Sequence, residues 1–86
     1  MNKKFRPTEH YIQENREIIG KQIREFREKK GLSNGELAEI MAINHSTISK
    51  VEAGKFAITV DYLLKFSWHL DFEVTFIKRS HDTMEN

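Results

Sequence analysis

The stretch from Leu32 to Lys55 leaves the chain little choice of fold. It must start a helix, end it, and start another. Ser33 and Glu36 make an S-x-x-E pair, the signature of a capping box, in which side chain and backbone satisfy each other at a helix N-terminus. Leu37, Ala38, Ile40 and Met41 follow as an apolar run. The helix must stop by Ala42–Ile43, because Asn44 is a new N-cap candidate. From there only Ile48 and Val51, three apart, form a buried stripe, and Gly54 suits the end of that second helix. Two short helices joined by three or four residues have the length of a helix-turn-helix.

The flanks read as further helix. Thr8 and Glu9 suit a helix start just after Pro7, and Ile18, Ile19, Ile23 and Phe26 keep helical spacing up to Gly31. The pattern fits either one helix over 8–30 or a short helix followed by one starting near Asn15. Thr59 caps a last helix with Val60, Leu63, Leu64, Phe66 and Leu70. After Asp71 the period changes: Phe72, Glu73, Val74, Thr75, Phe76 and Ile77 alternate and are rich in β-branched and aromatic residues, which predicts a strand. The expected fold is all-α, four to five helices with one C-terminal β-strand. The expected divisions are a basic arm, with or without a short helix, over 1–14, the helical domain over 15–71, the strand over 72–78 and a polar tail over 79–86.

Composition narrows the function. The 86 residues contain no cysteine, which excludes a disulfide framework, a thiolate metal site and a thiol nucleophile. The four histidines are scattered without metal-ligand spacing. His45 and Ser46 are not a catalytic pair, because adjacent helical residues point apart. No catalytic residue, metal or cofactor is expected, and the chain is not read as an enzyme. No apolar run approaches the ~20 residues of a membrane span. The first seven residues are polar and basic, unlike a signal peptide. A cytoplasmic location is expected. Net charge is +1, so a nucleic-acid footprint has to be local. The outward positions of the second short helix, His45, Ser46, Thr47, Ser49 and Lys50, supply one. They are small, hydrogen-bonding groups and one lysine, and phosphate would not repel them.

The segments REFREKKGLS, NGELAEIMAI and NHSTISKVEAGK, with the helix over 59–70, resemble the lambda-repressor/Cro-type helix-turn-helix domains, also called the XRE family. The resemblance covers residues 18–72. It implies that helix 45–53 is a recognition helix for double-stranded DNA. His45, Ser46 and Lys50 occupy its base-reading positions, with Thr47 and Ser49 next in line. It implies phosphate contacts at Asn34, Lys55 and Arg27, and a structural salt bridge between Arg27 and Glu52. Three positions depart from the family pattern. Ala42 stands where the turn usually has glycine, Gly35 where a charge is common, and Asp71 where a glycine usually follows the last helix.

A lone strand leaves its backbone groups unpaired, and even an isolated hairpin is marginal. The economical solution is pairing with a second copy across a two-fold axis. The expected interface is Trp68, Phe72, Val74 and Phe76, in a homodimer that acts as a transcriptional repressor. A strand and polar tail of this kind also resemble, more loosely, small helix-turn-helix antitoxins. That alternative implies a toxin protein as partner and autorepression of the shared operon.

Overall fold

The computed structural model describes residues 8–79. Residues 1–7 of the basic arm and residues 80–86 of the polar tail lie outside the described residues. Four α-helices follow in order: α1 Glu9–Lys29, α2 Asn34–Met41, α3 His45–Glu52 and α4 Val60–Leu70. Of the two readings left open for the N-terminal half, the single helix is correct. Thr8 caps α1, its hydroxyl accepting from the Tyr11 N–H at 2.9 Å. No proline or glycine pair interrupts the helix before Gly31.

The core is Ile23, Leu37, Ala38, Ile48, Val51, Phe66 and Leu70. Every helix contributes to it, so α2 and α3, too short to be stable alone, are held by tertiary contact. The closest approach is at Gly20 of α1. A Cβ there would lie 2.3 Å from the Val51 carbonyl oxygen and 2.8 Å from that of Glu52. Glycine in mid-helix costs about 1 kcal/mol relative to alanine. Here it lets the backbone of α3 rest directly on α1. The Gln13 side-chain amide then donates to the Gly54 carbonyl at 3.0 Å, tying down the far end of α3.

All four helices end in the same way. The N–H two residues past the last helical turn reaches back to a carbonyl five residues earlier: Leu32 to Arg27, Ile43 to Ala38, Lys55 to Lys50 and Phe72 to Ser67. This closure needs a left-handed residue. Gly31 and Gly54 supply it at φ 74° and 75°, and Ala42 and Asp71 are forced into it at φ 56° and 59°. The two departures from glycine therefore leave the turn geometry intact and carry strain.

The C-terminal strand does not form. Residues 72–79 have no regular secondary structure, and no strand occurs among the described residues. Alternation with β-branched residues is necessary for a strand, but a ladder partner is also required, and the single chain offers none. The segment instead runs back along α1 as an extended strap. The Phe72 ring stacks on Phe26 with centroids 4.8 Å apart. At the other end the Arg79 guanidinium donates to the Tyr11 hydroxyl at 3.0 Å. The lengths agree. Seven extended residues cover about 23 Å, and the fifteen helical positions from Phe26 back to Tyr11 cover about 23 Å.

Candidate nucleic-acid interface

The geometry starts at the first turn of α2. The Glu36 N–H donates to the Ser33 hydroxyl at 3.0 Å, and the Ser33 N–H donates to the Glu36 carboxylate at 2.7 Å. This capping box fixes where α2 begins, and the left-handed Ala42 fixes where it ends. Asn44 then takes an extended conformation as N-cap of α3, with no side-chain cap bond of its own. Ile48 and Val51 anchor α3 in the core. The opposite face carries Ser46, Ser49, Lys50 and Ala53, all exposed, with exposed His45 at the helix start. Thr47 is half-buried at the flank, so the structure separates it from the other four base-reading candidates.

The electrostatics of this face depend on Glu52, the one carboxylate of α3. It is turned away and fully engaged. Its two oxygens accept from Arg27 Nε at 2.6 Å and Nη2 at 3.0 Å. Arg27 Nη1 donates to the Leu32 carbonyl at 2.9 Å, which joins the same guanidinium to the loop before α2. The side chains are 10% and 9% exposed. The hydrogen bond to Glu52 holds the Arg27 pKa above its ordinary value against the opposing effect of burial. The outward face of α3 is therefore neutral to positive, with Lys50 as its free charge.

The three residues expected to meet phosphate sit in different settings. Asn34 is half-buried, and its Nδ2 donates across the turn to Ser49 Oγ at 3.2 Å. The Asn34 side chain thus braces α3 against α2, and the Ser49 hydroxyl keeps its own proton to donate outward. Lys55 is exposed, but its N–H is spent on the Lys50 carbonyl at 2.8 Å. Only its ammonium is free for an anion. Arg27, with three of its five N–H donors engaged, holds the loop in place.

Two residues escaped the sequence reading. Arg24 and Ala53 line, with Arg27, Asn34, Ser49 and Glu52, an open depression of about 330 Å³ between α1 and α3. Arg24 pairs with Glu28 one turn on at 3.1 Å, and in sequence such a pair reads as an ordinary solvated helix surface. Gly35 also has a local consequence. A Cβ at that position would lie 3.5 Å from the His45 ring, so the imidazole stands directly over α2's first turn.

The expected interface residues are dispersed. Phe72 is half-buried against its own α1, whereas Trp68 and Phe76 are 80% and 97% exposed. Val74 lines a groove of about 430 Å³ between the strap, α1 and α4. No group of three or more metal-binding side chains occurs among the described residues. No helix among them is long and apolar enough to cross a membrane.

A short helix, a left-handed turn and a second short helix that presents one polar face define a helix-turn-helix domain. The helix-turn-helix family model matches residues 23–76, and the chain belongs to that family. Two curated relatives carry names that class them provisionally as HTH-type transcriptional regulatory proteins. The one from Pyrococcus furiosus is 33% identical over 48 residues, which is 56% of this chain and 15% of the relative. The one from Methanocella arvoryzae is 44% identical over 55 residues, which is 64% of this chain and 17% of the relative. The chain thus spans about a sixth of the length of these curated relatives. No solved structure matches the chain significantly.

Proposed function

We propose that this chain binds a specific double-stranded DNA site through α3 and acts as a homodimeric transcriptional repressor. The observation that carries the proposal is the outward face of α3, from which the only carboxylate of the helix has been withdrawn into the pair with Arg27. Ser46, Ser49 and Lys50 are left to meet base edges. Lysine donates to guanine O6 and N7, and serine hydroxyls serve several bases. Lys55, and Arg24 on turning from Glu28, would neutralise phosphate, which sets register without reading sequence. His45, over Gly35, reads the base nearest the start of α3.

The dimer is supported by the surface left uncovered. Trp68 stands exposed on α4, with Val60 and Leu64 exposed beside it. Two copies would place two recognition helices at half-sites about one helical turn apart. The test is a fluorescence-anisotropy titration at two salt concentrations. Duplex from upstream of the chain's own gene is compared with a scrambled duplex. A preference for the upstream duplex that survives added salt is expected. Equal binding to both that collapses with salt would refute sequence-specific reading at that site and point to a protein partner instead.

A further inference from the structure

Helix α4 carries more apolar surface than its place in the fold uses. Phe66 and Leu70 point into the core with Leu63 beside them. On the opposite side Val60, Leu64 and Trp68 follow one another at four-residue steps, exposed by 69%, 48% and 80%. Residues four apart lie on one helix face, so these three form a continuous stripe. A helix that is apolar on both sides is normally buried on both. Trp68 alone presents on the order of 200 Å² to solvent.

One flank of the stripe is charged. Asp61 and Lys65 lie on the same side of it, and with Leu64 and Trp68 they line an open groove of about 370 Å³. Their order along the helix matters. If a second α4 is laid antiparallel on the stripe with the two-fold axis at Leu64, Val60 of one copy faces Trp68 of the other. A residue on one flank is carried to the same flank of the partner. With a rise of 1.5 Å per residue, Asp61 of one copy falls within about 3 Å, along the axis, of Lys65 of the other. The symmetry makes this contact twice. The long lysine stem lets each ammonium turn toward the aspartate and away from its own symmetry mate. A face that matches itself under a two-fold rotation in both shape and charge is what an isologous interface requires.

We propose that the α4 stripe of Val60, Leu64 and Trp68, flanked by Asp61 and Lys65, is the dyad contact with a second copy of this chain. The inference rests on the homodimer reading above and gives that dimer its surface. The strap is the weaker candidate. It is held at both ends on its own α1. Its most exposed large apolar residues, Phe76 and Ile77, are adjacent in extended chain and so face opposite ways. The stripe and its flanks, counted on both copies, come to on the order of 1,000 Å², the low end for a specific interface. The dimer is correspondingly weak in free solution, and a two-fold DNA site reinforces it.

The test uses charge reversal and the single tryptophan of the chain. Asp61→Lys and Lys65→Asp each place like charges opposite each other twice, and each should weaken self-association roughly tenfold or more in sedimentation equilibrium. Mixing the two variants restores both pairs across a heterodimer and should bring back wild-type association. A fold defect in either variant could not produce that rescue. Phe76→Ser should associate as the wild type does. Trp68 emission should shift to the blue as wild-type concentration rises, and stay red in Asp61→Lys over the same range. A wild-type dimer indifferent to both reversals, or no rescue on mixing, would overturn the α4 assignment and leave the homodimer reading standing. A monomer at every concentration would overturn both. Trp68 emission that is blue at all concentrations would mean that a segment of the same chain covers the stripe, and would likewise overturn the proposal.

Discussion

Replacing Glu52 with glutamine isolates the interaction that joins α1, the loop before α2 and the end of α3. Glu52→Gln keeps the shape and removes the charge. The carboxylate accepts two of the three Arg27 hydrogen bonds, at 2.6 and 3.0 Å. An amide can accept one of them and turns its NH₂ toward a guanidinium N–H, so donor meets donor. Removing one partner of a fully buried pair costs about 3–5 kcal/mol, because the remaining charge is stranded. This pair lies at the rim of the core and retains the Leu32 carbonyl, so about 2–4 kcal/mol is the expected loss. A domain of this size has a total stability of about 4–13 kcal/mol. The assay is urea unfolding followed by helical circular dichroism. With a slope near 1 kcal/mol/M for a small domain, the midpoint should fall by about 2–4 M. The paired replacement Arg27→Met with Glu52→Leu should recover most of the loss, since well-packed apolar residues often match or exceed a buried ion pair. The Arg27 pKa is raised in the fold. Its contribution is therefore complete below the ordinary arginine pKa and is lost only as pH rises through the higher folded value, so arginine titration adds no pH dependence near neutrality. A midpoint shift under about 0.5 M for Glu52→Gln would refute the claim that this pair holds the three elements together.

Three further outcomes follow from other positions. Ala42→Gly should raise the melting temperature by about 2–6 °C. It relieves about 1–2 kcal/mol of left-handed strain at φ 56°, less the extra backbone entropy of glycine. An unchanged or lower value would mean the turn is not strained. Gly20→Ala should destabilise by about 1–3 kcal/mol or more, because the new Cβ meets carbonyl oxygens at 2.3 and 2.8 Å that cannot move without moving α3. The same variant should weaken DNA binding beyond its effect on folding, which anisotropy on the folded fraction would read. Lys50→Ala should lose about 1–3 kcal/mol at the preferred duplex and relax the choice of base at one position per half-site. Unchanged site preference would remove Lys50 from the base-reading set.

The helix-turn-helix was legible because its boundaries are written in local chemistry. The Ser33–Glu36 box, the Asn44 cap and Gly54 act within one turn of their own position, and spacing is enough to find them. The long α1 was legible in its apolar period, whereas its continuity through Asn15 was not, since a helix needs no signal to go on. Alternation over 72–77 predicted a strand, and none forms there. Whether such a segment becomes a strand depends on a hydrogen-bonding partner elsewhere, and no local pattern encodes that. The α1 surface and the Phe26–Phe72 stack decided its course instead. In the candidate site, the outward residues of α3 followed from the Ile48 and Val51 stripe. The Asn34–Ser49 hydrogen bond joins residues fifteen apart across a turn, and it depends on how α2 and α3 cross. The apolar stripe of α4 was partly visible in Trp68. It became a surface only once Phe66 and Leu70 were seen to occupy the core side.

The claim that α3 enters the major groove can be read directly from the DNA. Guanine N7 lies in the major groove and is methylated by dimethyl sulfate unless covered, while adenine N3 reports the minor groove. With the chain bound at saturation to its preferred duplex, guanine N7 should be protected in two clusters about one helical turn apart. Lys50→Ala should re-expose one guanine in each cluster. Saturated binding with every guanine N7 still reactive, or with protection confined to adenine N3, would contradict the placement of α3 in the major groove.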